Sequence, residues 1–150
     1  MTLLIAISCD SNPCEKVNCV EGFCDVGLCI CDQGFEGDDC SIKSVVKFIG
    51  EWHAIDDCAS EIHQYKATIS ASSGALQMVT ISNFGGLGTN TLVSANVEGS
   101  VIIINTQNVG NSCSVSGFGN ISATGDQIQF TYTVTDLLGN SVKCSSSWVS

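Results

Sequence analysis

Arginine is absent from this 150-residue chain: its five basic residues are all lysine and stand against fifteen acids, for a formal net charge of −10. Without a basic cluster there is no electrostatic footprint for a phosphate backbone, so a nucleic-acid partner is not expected. Long apolar runs are scarce as well; the one at Met1–Ile7, MTLLIAI, is too short to span a bilayer. No stretch sustains a helical period over three turns. Enzyme signatures are missing too, with no G-x-S-x-G elbow among the many serines and no glycine-rich loop opening a helix. The only histidines are His53 and His63. They could form a metal pair across adjacent strands, but outward polar positions explain both, and no third ligand is indicated. Asp56-Asp57 reads as turn chemistry at a strand end rather than an acid/base pair. The expectation is a protein that is not an enzyme, with no catalytic residues, no metal and no cofactor.

What the chain has in excess is cysteine: six of its ten lie between Cys14 and Cys40. Residues 9–43 also hold eight acids against Lys16 and Lys43, while residues 44–150 hold seven against Lys47, Lys66 and Lys143. Both asymmetries divide the chain into two modules. A segment too small to bury a core needs covalent staples, and staples of this density persist where the surroundings are oxidising. An exported protein follows, kept soluble by its acidic surface.

The cysteine spacing closes with Cys29-x-Cys31-x2-Gly34-Phe35-x-Gly37-x2-Cys40. One residue between Cys29 and Cys31 places both on one face of a short strand, and the two glycines allow tight turns around Phe35. Zinc is discounted, because the segment lacks paired C-x2-C knuckles and contains no histidine. The spacing alone does not choose among the pairings open to six cysteines. The C-x-C-x2-G-F-x-G-x2-C ending resembles that of epidermal-growth-factor-like (EGF-like) modules, and this resemblance implies the pairs Cys14–Cys24, Cys19–Cys29 and Cys31–Cys40. Some members of that family bind calcium and act in adhesion. Here Asp10 and Asn12 match the acidic pattern in part, but Pro13 stands where Glu or Gln is expected, and the loop Asp25-Val26-Gly27-Leu28 is too short for the remaining ligands. A solvated acidic surface is therefore the preferred reading over a calcium-binding adhesion module.

The opening run ends at Ala6-Ile7-Ser8-Cys9. It resembles the tail of a bacterial lipoprotein signal, in which a small residue precedes a cysteine that becomes acylated, although the preferred leucine three residues before the cysteine is missing. The resemblance implies lipidation of Cys9 and a membrane anchor without a spanning helix. The alternative is a truncated start, or a cysteine that pairs elsewhere.

From about Val45 the chain changes to short β-branched and apolar runs broken by Gly, Asn, Asp and Ser. Eight strands are expected, at roughly 48–57, 62–70, 76–84, 91–97, 100–106, 113–123, 127–135 and 142–149. Short links such as Glu98-Gly99, Gly125-Asp126 and Gly139-Asn140 make the order an antiparallel meander. In the clearest strand Ile128, Phe130, Tyr132 and Val134 alternate with Gln and Thr, and Val142, Cys144 and Trp148 repeat the pattern. Val101-Ile102-Ile103-Ile104 is apolar on both faces, so its outer side is either covered or a patch for a partner. Closing eight such strands into an up-and-down barrel hides every edge; an open two-sheet β-sandwich is the alternative. Gly50-x-Trp52 on the first strand resembles the opening of lipocalin-like barrels, although the arginine that packs on that tryptophan is absent. Strand parity points Cys58, Cys113 and Cys144 inward and favours Cys58–Cys144, with Cys113 a free thiol; Cys113 bonded to either of the others is the alternative. Asn120-Ile121-Ser122 is a glycosylation sequon in a eukaryotic setting.

As a whole the chain resembles bacterial surface lipoproteins that pair an EGF-like module with a lipocalin-like domain. The expected organisation is a partial signal over 1–9, the EGF-like module over 10–43 and the all-β domain over 44–150. The resemblance implies an exported protein, extracellular or at the cell surface and anchored by lipid to an outer membrane, whose cysteine module spaces a β domain that meets an envelope or extracellular protein. The competing expectation is a carrier of a small apolar ligand, lined by Trp52, Phe130, Tyr132 and Trp148.

Overall fold

The computed structural model describes residues 12–110 and 112–150. Cys9, Asp10 and the apolar run before them lie outside the described residues. The chain divides into two compact units that part between Ile42 and Lys43. Helical structure among the described residues amounts to two short 3-10 turns, and no helix is long and apolar enough to cross a membrane.

The first unit holds the hairpin β1 (Gly22–Asp25) and β2 (Leu28–Cys31), followed by β3 (Phe35–Glu36); β3 pairs with β4 (Ile42–Lys43), the two residues at which the chain passes from one unit to the next. Disulfides join Cys14 to Cys24, Cys19 to Cys29 and Cys31 to Cys40. Cys24 and Cys29 stand directly opposite each other in the hairpin, so two bridges leave it side by side. Among the described residues of this unit only Gly34 and Cys40 are buried. With no core to speak of, the staples carry its stability. Phe23, Val26, Leu28 and Ile30 are all exposed along the hairpin.

The second unit is a closed barrel of eight strands: β5 (Gly50–Cys58), β6 (Glu61–Ala71), β7 (Met78–Ser82), β8 (Leu92–Glu98), β9 (Val101–Val109), β10 (Cys113–Ile121), β11 (Gln127–Asp136) and β12 (Ser141–Val149). Each strand pairs antiparallel with its neighbour in sequence, and β12 returns to β5, so the topology is up-and-down and the sandwich alternative is set aside. A disulfide between Cys58 and Cys144, which are direct partners in the register, lies across that closing seam. Cys113 is a free thiol.

Inward residues alternate with outward ones along most of the wall, as a half-buried sheet requires; on β9 the alternation slips after Ile104, and β6 begins with four exposed residues. Two aromatic residues expected in strands lie elsewhere. Phe48 belongs to a 3-10 turn over Val46–Phe48 and Phe84 to another over Phe84–Gly86, and both side chains are fully buried in the core. A barrel filled from its strands still needs apolar plugs from its connections, and these two supply them. Trp52 Nε1 donates to the Phe48 carbonyl at 2.9 Å, fixing the first of these. Val142, expected inward with Cys144 and Trp148, is 41 % exposed, because it sits one residue into β12 beside the exposed Leu137-Leu138 hairpin tip, beyond the packed interior.

Two glycines make room for the aromatic filling. A Cβ on Gly117 would lie 2.5 Å from the Tyr132 Cβ, and one on Gly119 would lie 2.7 Å from the Phe130 ring. Nearby, β9 and β10 slip register between Val115 and Gly117. Gln107 then reaches across to β8, accepting from the Ser94 N–H at 2.9 Å and donating to its carbonyl at 2.7 Å. Its side chain thus supplies hydrogen bonds that backbone pairing would otherwise make.

Candidate functional site

Strand β5 carries Trp52, Ala54 and Asp56 on its inner side. Asp56, read from the sequence as turn chemistry with Asp57, is instead an interior residue, 1 % exposed, because β5 runs on to Cys58 before the chain turns. Alternation does not spare charged residues: once Trp52 and Ala54 point inward, position 56 follows.

A buried carboxylate must be hydrogen-bonded. The Tyr132 hydroxyl, from β11, donates to one oxygen of Asp56, and the Ser146 hydroxyl, from β12, donates to the other. Trp148 Nε1 donates in turn to Ser146 Oγ at 2.7 Å. Tyr65, from β6, accepts the Gly85 N–H at 3.0 Å. Burial pushes the pKa of Tyr65 well above the ordinary tyrosine range, and the charge of Asp56 pushes it the same way. Tyr132 is raised for the same first reason, followed by its bond to Asp56. Both phenols are therefore held as donors. No buried side-chain N or O among the described residues is left without a partner.

Around this polar centre stands an aromatic wall. The Phe84 ring lies 4.7 Å from Tyr132, 5.7 Å from Phe130 and 5.8 Å from Trp148, centroid to centroid. Phe130 and Trp148 are 4.7 Å apart, and Tyr65 meets Trp148 edge-on at 6.2 Å. The fold thus brings together three of the four residues expected to line a cavity, Phe130, Tyr132 and Trp148, and places Phe84 among them. Trp52 is buried four positions along β5 from Asp56, with its indole turned to the Phe48 carbonyl.

Other residues singled out by type lie apart. His53 faces Lys66 across β5–β6 while His63 faces Asp56 in the register, so the two histidines are not partners. His63 is exposed, with Nε2 3.6 Å from Glu61. No group of three or more metal-ligating side chains occurs among the described residues. Asn12 accepts the Cys14 N–H at 3.0 Å, an Asx turn that occupies its side-chain oxygen. Cys113 is half-buried, its Sγ 3.9 Å from the Val109 carbonyl. Asn120 is exposed on the outer face of β10.

No protein-family model and no curated protein matches this chain. What the geometry provides is a dry carboxylate held by hydroxyl donors inside an aromatic lining. Sequence reasoning missed Asp56, Ser146 and Phe84. Parity along β5 and β12 was a signal for the first two; nothing local marked a loop phenylalanine as an interior residue.

Proposed function

We propose that this is a non-enzymatic protein of an oxidising, extracytoplasmic compartment, in which the cysteine-rich module is a stapled spacer and the barrel carries the binding face. The four disulfides among the described residues fit an oxidising environment. The EGF-like spacing and the lipoprotein-like Ser8-Cys9 favour a cell-surface address with a lipid anchor at Cys9. The observation that carries the binding role is an apolar patch outside the barrel: Phe118, 49 % exposed, stands directly opposite Ile103 on one side and Thr131 on the other. Val101 lies on the same outer face of β9 as Ile103. An apolar group bordered by Thr131 and Asn96, with Glu98 at its rim, suits a protein partner at the cell envelope.

Expression with the native N-terminus in a bacterial host tests the address. Intact mass under non-reducing conditions should show an acyl addition at Cys9; a Cys9 found in a disulfide removes the anchor. For the binding face, a photo-crosslinker at position 118 should capture one defined partner, and Ile103→Asp should abolish that product without altering the circular dichroism.

A second reading is favoured by the polar centre around Asp56. A small-molecule carrier uses a few such polar groups within an apolar lining to orient its ligand.

A further inference from the structure

Carboxylates are almost never fully buried unless paired with a cation. Asp56 is held by hydroxyls, those of Tyr132 and Ser146. Of the two lysines on the barrel strands, Lys66 is engaged with Glu51 at 2.9 Å on the outside, and Lys143 alternates outward on β12 between Val142 and Cys144. Hydroxyl donors thus engage both oxygens of this buried carboxyl group, within a lining of Tyr65, Phe84, Phe130, Tyr132 and Trp148. Aromatic faces attract organic cations, and the attraction grows where water is excluded.

One member of that lining differs from the rest. Phe130, Tyr132 and Trp148 are fixed in strands, but Phe84 is carried by the connection between β7 and β8. Its flanking backbone is left-handed at Asn83, Gly85 and Gly86, with φ of 58°, 64° and 68°, and beyond the Asn83-to-Thr91 bond the segment is held by turn bonds, from the Gly86 and Leu87 N–H groups to the Asn83 and Phe84 carbonyls, rather than by a strand ladder. A hydrogen bond from the Gly85 N–H to the Tyr65 hydroxyl ties it to the polar centre. At its base, the Asn83 side chain donates to the Lys66 carbonyl at 2.7 Å and accepts the Gly88 N–H at 2.9 Å. Turning Phe84 out costs the Gly85 tie and the turn bond from the Leu87 N–H to the Phe84 carbonyl, and opens a ring-sized space bounded by Phe130, Tyr132 and Trp148, two of which are linked to Asp56, Tyr132 directly and Trp148 through Ser146.

We infer that the barrel binds a small aryl-alkyl ammonium compound, its ring replacing that of Phe84 and its ammonium group pairing with Asp56. This rests on the carrier reading above and names its ligand class. Phe84 then acts as an internal stand-in that keeps the unliganded barrel packed.

Calorimetric titration of the full chain with three matched probes tests it: 2-phenylethylamine, 2-phenylethanol and phenylacetate. The amine should bind at least about tenfold more tightly than the alcohol, and phenylacetate should not bind. Phe84→Ala should strengthen amine binding by about tenfold or more, because the native ring no longer competes. Asp56→Asn should erase the preference for the amine over the alcohol; the wild-type ratio gives the same information should that variant fail to fold. Equal binding of amine and alcohol to the wild type overturns the ammonium assignment and leaves the carrier reading standing. Absence of any binding to both the wild type and a folded Phe84→Ala protein overturns both.

Discussion

Replacing Asp56 with alanine strands the Tyr132 and Ser146 hydroxyls in a dry interior. Each buried group left unsatisfied costs about 1–3 kcal/mol, so with two of them Asp56→Ala should lower stability by about 2–6 kcal/mol in urea unfolding, while Asp56→Asn, which keeps an acceptor, should lose less. An equal loss for both would mean that charge, and not hydrogen bonding, is what the site requires. Gly119 makes the opposite point about size. A methyl there would meet the Phe130 ring at 2.7 Å and Ile102 Cγ2 at 3.0 Å. Gly119→Ala should therefore cost about 1–3 kcal/mol through overpacking, although alanine suits a strand better than glycine. A neutral result by thermal melting would show that Phe130 can move aside.

Among the elements, the seam between β5 and β12 is where the first and last strands of the barrel meet, and Cys58–Cys144 bridges it with a sequence separation of 86. A link of that span removes far more unfolded-state freedom than the separations of 10, 10 and 9 in the cysteine-rich module. The double substitution Cys58→Ala/Cys144→Ala should lower barrel stability by about 4–5 kcal/mol on the chain-entropy account. The check is the denaturation midpoint against that of the wild type; a loss below about 1 kcal/mol would mean that strand pairing alone closes the seam. The strands themselves were legible from alternation, since one wet and one dry face is what a barrel wall imposes. Asp56 was not, because a charged residue near a strand end was given to the turn when the parity of Trp52 and Ala54 placed it inside. Phe84 was not legible either: its contacts to Phe130, Tyr132 and Trp148 cross the barrel from a connection that has no periodicity of its own.

For the whole molecule, the two tyrosines make a reporter of folding, since Tyr65 and Tyr132 are the only ones in the chain and both have pKa values raised by burial and Asp56. The unfolded chain releases these protons near the ordinary tyrosine value of about 10, while the folded barrel retains them. Their contribution to stability is thus complete below about pH 10 and is lost progressively as pH rises beyond it. Phenolate absorbance should stay flat in the native protein above that pH and then rise together with loss of the near-ultraviolet circular dichroism. A rise that precedes unfolding would show that one phenol is open to solvent.

Composition and spacing by themselves determined the division into a cysteine-rich module and an all-β unit and the positions of the eight strands, because these depend on local chemistry: alternation, turn residues and charge. They did not choose between barrel and sandwich, since both bury the same faces of the same strands. That choice lies in the β12–β5 pairing, between residues far apart in sequence. Only the tertiary structure placed Asp56, Ser146 and Tyr132 in one dry cluster and laid Phe84 among the rings, because these positions follow from how the closed wall curves and from what its interior must be filled with.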